Sequence, residues 1–207
     1  MEEWLMKLRG WLQQLQPLKH YVIAAAFVFI LCVILGYVDS SSYEILIKAQ
    51  MEQMQGIADG IKQSDHQQWS FFSHIILNNL LACAMAILFG FFFGLFPIYL
   101  LVSNGLFLGY VAANRGDEVT MLYFLKGILP HGIIEIPAFI LACAVGMRFG
   151  SLVLQSIGGV FSLERKAKFQ MKFRVFIRQL LPMVILIGGL MLLAAIIEST
   201  ITYTLLK

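Results

Sequence analysis

The stretch Leu129-Pro130-His131-Gly132-Ile133-Ile134-Glu135-Ile136-Pro137-Ala138 sets a histidine, a glutamate and two prolines inside a run otherwise apolar enough to cross a bilayer. A carboxylate near the bilayer centre costs about 2.5–3.5 kcal/mol. Each proline deletes a backbone N–H that hydrocarbon cannot replace. His131 and Glu135 are four residues apart, which on a helix places them on one face. A sequence that carries both costs within a turn and a half is building a site or a junction between helices.

The surroundings are those of an integral membrane protein. Of the 207 residues, 59% are hydrophobic and 13% charged, with a mean hydropathy of +0.81. Soluble domains carry about 25% charged residues. Four apolar blocks stand out, Tyr21–Val38, Ile75–Ala113, Ile128–Met147 and Leu180–Ile197. A helix needs roughly 20 residues to span the hydrocarbon. The second block is nearly twice that length and is interrupted at Gly94-Leu95-Phe96-Pro97, so it reads as two helices with almost no loop. The expected fold is a single all-α membrane domain over residues 1–207 with five transmembrane helices. Helix breaks are expected at Pro97 and across Pro130–Pro137, and Asn104-Gly105 reads as an interruption of the third span.

Charge placement orients the spans. Ten of the fifteen Lys and Arg residues precede Tyr21 (Lys7, Arg9, Lys19) or lie between residues 148 and 178 (Arg148, Arg165, Lys166, Lys168, Lys172, Arg174, Arg178). Positive residues stay in the cytoplasm, so the N-terminus is expected inside and the C-terminus outside. Asp39, Glu44, Glu52, Asp59 and Asp65 then cluster in the first external segment. The net charge of +3 reflects this asymmetry and points to no nucleic-acid partner.

Three segments outside the hydrocarbon have their own patterns. In residues 1–20, Trp4, Leu8, Trp11, Leu15 and Leu18 recur at helical spacing, as in a helix lying on the inner membrane surface. No small-x-small cleavage pattern follows, so the first span reads as an uncleaved anchor. Residues 39–74 form the sizeable external piece. There an amphipathic helix over Tyr43–Ile61 gathers Ile47, Met51, Met54, Ala58 and Ile61 on one face, which either lies on the bilayer and the protein's own helices or receives an extracytoplasmic partner. Residues 151–179 carry Phe169, Phe173 and Phe176 on a stripe beside Arg165, Lys168 and Lys172, a pattern for a basic helix on the inner leaflet drawn to anionic lipid.

Rows of small residues mark where spans approach one another. Ala82, Ala86, Gly90 and Gly94 recur every four residues, and so do Gly105, Gly109 and Ala113, and then Ala138, Ala142, Gly146 and Gly150. The first and last spans have no such row, so the middle three are expected to form the packed centre, with the outer two turned to lipid or to a second subunit. Within that centre lies a polar inventory of Asn78, Asn79, Ser103, Asn104, His131 and Glu135. It reads either as a hydrogen-bonded knot that satisfies Glu135 and the proline-freed carbonyls, or as a proton, ion or substrate site.

Hydrolase chemistry fits poorly. His131 and Glu135 do not make a His-Glu-x-x-His zinc motif, no Gly-x-Ser-x-Gly elbow is present, and no aspartate within a span completes a carboxylate dyad. No phosphate-binding glycine loop occurs either. Cys32, Cys83 and Cys143 each fall inside a span and suggest small buried side chains without a disulfide framework. Neither a metal nor a cofactor is expected, and no residue reads as catalytic.

The run Pro130-His131-Gly132-x-x-Glu135-x-Pro137-Ala138, followed by Gly146 and Gly150, resembles the signature of the stage II sporulation protein M family. Asn78-Asn79, the break marked by Gly90, Gly94 and Pro97, and Asn104-Gly105 with Gly109 extend the resemblance over about Phe71 to Gly150. The five-span layout matches over the whole chain. The resemblance implies a non-enzymatic scaffold in a bacterial cell membrane that organises two cell-wall hydrolases, one amidase-type and one transglycosylase-type, during spore engulfment. On that reading the partners are those extracytoplasmic enzymes, membrane lipid and further copies of the chain. The residues alone support a second reading, a small transporter or proton or ion conduit centred on His131 and Glu135.

Overall fold

The computed structural model describes the backbone of residues 2–62, 67–113, 118–159 and 163–197, and the side chains of 16–52, 55–56, 73–74, 76–113, 132–158 and 164–197. Six α-helices make up the described fold: α1 (Glu2–Val38), α2 (Glu44–Lys62), α3 (Gln67–Leu88), α4 (Leu95–Ala113), α5 (Glu118–Gly159) and α6 (Leu163–Ile197). Four stretches are long and apolar enough to cross a membrane: Gln16–Val38, Leu95–Ala113, Gly132–Gly158 and Glu164–Ile197. The apolar stretch Ile76–Phe91, which runs from α3 into the turn that follows it, is shorter. Half of the apolar stretch of α5 is buried inside the protein, against 22% for α1 and 28% for α6, which makes α5 the central helix.

The expected break in the long second block is present. A 3-10 turn over Phe89–Phe91 follows α3, and Phe93 (φ 57°) and Gly94 (φ 78°) then reverse the chain in the left-handed region. The Gly94 N–H donates to the Gly90 carbonyl at 2.8 Å and the Leu95 N–H to Phe92 at 3.0 Å. Pro97 sits in the first turn of α4, where an N–H would have no partner in the helix anyway. Phe89 stacks on Phe92 and packs against Phe96, ring centroids 6.1 and 5.1 Å apart, in the kind of aromatic belt found at a membrane–water boundary.

The break expected across Pro130–Pro137 is absent: α5 runs unbroken through both prolines. The interruption expected at Asn104-Gly105 is likewise absent from α4. A proline in a packed membrane helix removes one donor, and neighbouring groups take over its bond, so the ladder continues on either side. The segment expected as a separate helix over residues 1–20 is continuous with the first span, and Pro17 lies inside α1.

Glycine sets the distances between helices. A methyl group on Gly146 of α5 would lie 2.0 Å from the Ala86 carbonyl oxygen, and one on Gly90 would lie 2.3 Å from the Gly146 oxygen. One turn on, a methyl at Gly150 would strike the Gly94 nitrogen at 2.0 Å. Ala86, Gly90 and Gly94 therefore form one seam with Gly146 and Gly150, beside fully buried Ala142 and Pro97. The row Gly105–Gly109 behaves differently. It meets α1, where a methyl on Gly109 would lie 2.1 Å from the Val33 oxygen and one on Gly36 would lie 2.2 Å from the Leu106 oxygen. The expectation that the first span stands outside the packed centre is thus corrected. Close approach needs a smooth surface on one helix only, and α4 supplies it.

The two peripheral amphipathic segments also pack inward. Phe176 is buried and stacks on Phe149 of α5 with centroids 5.5 Å apart, while Phe169 and Phe173 lie against the same core. The aromatic stripe expected on the inner leaflet is therefore an α5–α6 contact, because the two helices pack against each other as a hairpin. On the opposite side of the molecule, Asp39 accepts hydrogen bonds from Ser41 Oγ at 2.8 Å and Ser42 Oγ at 2.7 Å, which hold its carboxyl below the usual carboxylate range and fix the turn into α2. Ile47 of α2 is buried and Gln50 Nε2 donates to Ser103 Oγ at 2.9 Å, so α2 docks on α4.

Replacing Gly146 with alanine forces the α3–α5 seam apart, at the roughly 1–3 kcal/mol typical of overpacking. Melting in detergent should fall by several degrees, on the scale of about 2–4 °C per kcal/mol for a chain of this size. Gly188→Ala in α6, where nothing lies within 4 Å of the added methyl, should leave the melting temperature unchanged or raise it. Equal stability of both variants and wild type would mean that the seam is not this tight.

Candidate functional site

The α1–α4 and α3–α5 seams enclose a chamber of about 180 Å³ between five helices. Asn78, Asn79 and Ala82 enter it from α3, Asn104, Phe107 and Leu108 from α4, and Phe29 and Met191 from α1 and α6. The central helix contributes Gly132, Glu135, Ile136 and Phe139, the i, i+3, i+4, i+7 set of one helix face. Phe139 meets Phe29 edge-on at 6.4 Å and closes one wall.

Four residues of the polar inventory thus come together from three helices: Asn78, Asn79, Asn104 and Glu135. Each is half-buried, so the chamber is reachable from outside the bundle. Asn78 Nδ2 donates to Asn79 Oδ1 at 3.4 Å, a long contact, and Asn104 Nδ2 donates to the Leu100 carbonyl of its own helix at 2.9 Å. Glu135 is the one titratable side chain among the described residues that line the space. The volume holds several water molecules, each of which takes about 30 Å³ of liquid. A single carboxylate with amide oxygens suits a proton or a monovalent cation. Among the described residues no three His, Cys, Asp or Glu side chains converge as a metal cluster would require.

The other expected residues fall elsewhere. The backbones of Pro130 and His131 lie in α5 just before Gly132, and their side chains are outside the described set. Pro137 is exposed on the outer surface of α5, and Pro97 is buried against Gly146 in the α3–α5 seam. Ile47 is committed to the interior, Met51 is half-buried beside Tyr110, and the side chains of Met54 and Ile61 lie outside the described residues. The three cysteines are free and buried.

A second polar centre has no counterpart among the residues that the sequence singles out. Arg148, counted there as a loop charge, is buried between α5 and α6. Its Nη1 donates to Gln179 Oε1 and its guanidinium stands 5.5 Å over the Phe176 ring. The signal available was Gly146-Met147-Arg148-Phe149-Gly150, an arginine set between the last two glycines of the small-residue row.

Residues 25–203 match the family described as stage II sporulation protein M. A protein of Methanocaldococcus jannaschii, described as uncharacterized, is 30% identical over 197 residues, which cover 91% of this chain and 84% of the relative. No solved structure matches. With four membrane-length apolar helices packed on a chamber whose Gly132, Glu135, Asn78 and Asn104 lie within the matched residues, the chain is a multi-pass membrane protein that belongs to the stage II sporulation protein M family.

Proposed function

We propose that this protein carries out no covalent chemistry and works through the Glu135 chamber, which takes up a proton or a small monovalent cation inside the membrane. One observation supports the reading most: the carboxylate and three asparagines from three separate helices line the same reachable cavity. Intramembrane ionisable groups are costly and tend to mark ion or proton paths. Neither a nucleophile with an adjacent base nor a cluster of carboxylates accompanies Glu135 among the described lining residues.

We read α3 as a fifth crossing, with the N-terminus inside and the C-terminus outside. Gly94, just past the end of α3, contacts Met147 beside Arg148, and Arg148 shares a groove with His20 and Lys172, so these basic residues gather at one end. Asp39 and acidic α2 follow the far end of α1. The 3-10 turn extends the apolar part of α3, which brings the chain back to the basic end before α4 departs.

A second reading is the scaffold that the family resemblance implies, with cell-wall hydrolases as partners. It draws on a groove of about 630 Å³ beside α2, where Glu44, Lys48, Glu52 and Gln55 rim Met51 and Tyr110. Glu44 and Lys48 pair at 2.6 Å with both side chains exposed to solvent, so their charges remain available to a partner at little cost. Recovery of hydrolases by detergent pull-down should fall for Met51→Lys if that groove is where partners bind. Undiminished recovery would take the groove out of the scaffold reading.

The chamber reading is tested by reconstitution in liposomes carrying a pH-sensitive dye, with potassium and sodium gradients as parallel arms. Wild type should pass protons or one of the cations, and Glu135→Gln should reduce the flux to that of empty vesicles. A glutamine keeps the shape of the side chain and its ability to hydrogen-bond within the chamber, so its melting temperature should stay within a few degrees of wild type. Glu135→Leu places an apolar group in a chamber lined by amides and should melt below both. Full flux through a folded Glu135→Gln would reduce the chamber to a structural hydrogen-bonded knot.

A further inference from the structure

Arg148 is a buried cation whose neighbours among the described residues carry no opposite charge. Its side chain is 7% exposed, and its neighbours are a neutral amide and an aromatic face. Among the described residues no carboxylate pairs with it. A buried charge without a counter-charge is strongly unfavourable. The missing negative charge is therefore expected to come from outside the chain.

The place for it is a groove of about 470 Å³ between α1, α5 and α6. Arg148 and Lys172 bring two cations to it, His20 and Tyr21 two further polar groups from α1, and Gln155 a side-chain amide. Among the described residues no acidic side chain lines it. Lys172 Nζ donates to Gln155 Oε1 at 2.8 Å, which holds the ammonium over the groove on its exposed side. The groove lies at the end of the apolar part of α1, since the membrane-length stretch of that helix begins at Gln16. From His20 the exposed residues Ile23, Phe27 and Ile30 continue along α1 at i+3, i+7 and i+10, an apolar track that leaves the polar groove for the hydrocarbon. Met171 and Val175 give its α6 wall an apolar, exposed surface.

A basic pocket between membrane helices that opens onto such a track has the form of a phospholipid headgroup site. We infer that the Arg148–Lys172–His20 groove binds the phosphate-bearing headgroup of an anionic phospholipid, with the acyl chains lying along Ile23, Phe27 and Ile30. The fork of the arginine suits two phosphate oxygens, and the lysine adds a point charge at the rim. The inference concerns the end of the bundle opposite α2 and is independent of the Glu135 chamber.

Native mass spectrometry of the full chain released from detergent, with added phosphatidylglycerol, phosphatidylcholine or inorganic phosphate, tests it. One phosphatidylglycerol should be retained per chain at energies that strip phosphatidylcholine, and the same lipid should raise the melting temperature. Lys172→Gln should weaken retention about fivefold, the effect of one surface cation on anionic lipid. Lys166→Gln removes an equally exposed cation of the same helix outside the groove and should change nothing. Arg148→Lys keeps the charge and loses the fork, and should bind more weakly than wild type while remaining folded. Equal losses from Lys172→Gln and Lys166→Gln would overturn the site in favour of a diffuse basic surface. Saturation by inorganic phosphate alone would overturn the lipid as its source, and equal retention of phosphatidylcholine would overturn the role of charge.

Discussion

In hydrocarbon, an apolar side chain gains nothing by leaving lipid for a neighbouring helix, so cohesion must come from packing density and from the few polar contacts available. In this bundle the density is supplied by backbones in near contact. Gly146 against Ala86 and Gly90, Gly150 against Gly94, and Gly109 against Val33 each leave no room for a single methyl group. The two seams hold the four helices α1, α3, α4 and α5 at fixed spacing. At Gly188 and Gly189 of α6, by contrast, an added methyl would meet nothing within 4 Å, and that helix is held by larger side chains such as Phe176 and Met183.

The chamber follows from the seams. Helices drawn together at Gly146 and at Gly109 cannot also be in contact along their whole length, because bulkier side chains take over beyond the glycines. Phe29, Phe107 and Phe139 hold the walls apart where Asn78, Asn104 and Glu135 face inward. The same geometry that brings backbones together at one level therefore leaves a polar gap at another. A gap in this position favours the polar residues within it, since amides and a carboxylate cluster there with water instead of standing singly in lipid.

How much of this the sequence discloses depends on how local the cause is. The reversal at Phe93-Gly94 is legible because glycine and proline act on their own few residues. The polar inventory is legible because an asparagine or glutamate in a span has few reasons to be there, and four of the six residues named from the sequence do share the chamber. The unbroken course of α5 through Pro130 and Pro137 is not legible, because it depends on neighbouring helices that the local rule ignores. The inward role of α1 is hidden for a related reason: its partner α4 carries most of the glycines, and Gly36 alone marks the contact on α1. Arg148 reads as a loop charge because an arginine near the end of an apolar run usually is one, and only the packing of α6 over it makes it buried.

Glu135 and Arg148 both project from α5, thirteen residues apart. At 1.5 Å per residue they stand about 20 Å apart along the helix, some two-thirds of the hydrocarbon thickness. A carboxylate and a guanidinium on one helix would ordinarily suggest mutual neutralisation, but at that distance neither can serve the other. Each therefore needs its own environment, and the protein provides two different ones. Glu135 stands among amides and open volume. Arg148 has an amide and an aromatic face beside it and a groove lined by a further cation. One helix thus carries a carboxyl group at one level and a guanidinium at the other, and the glycine seams keep the two levels in register.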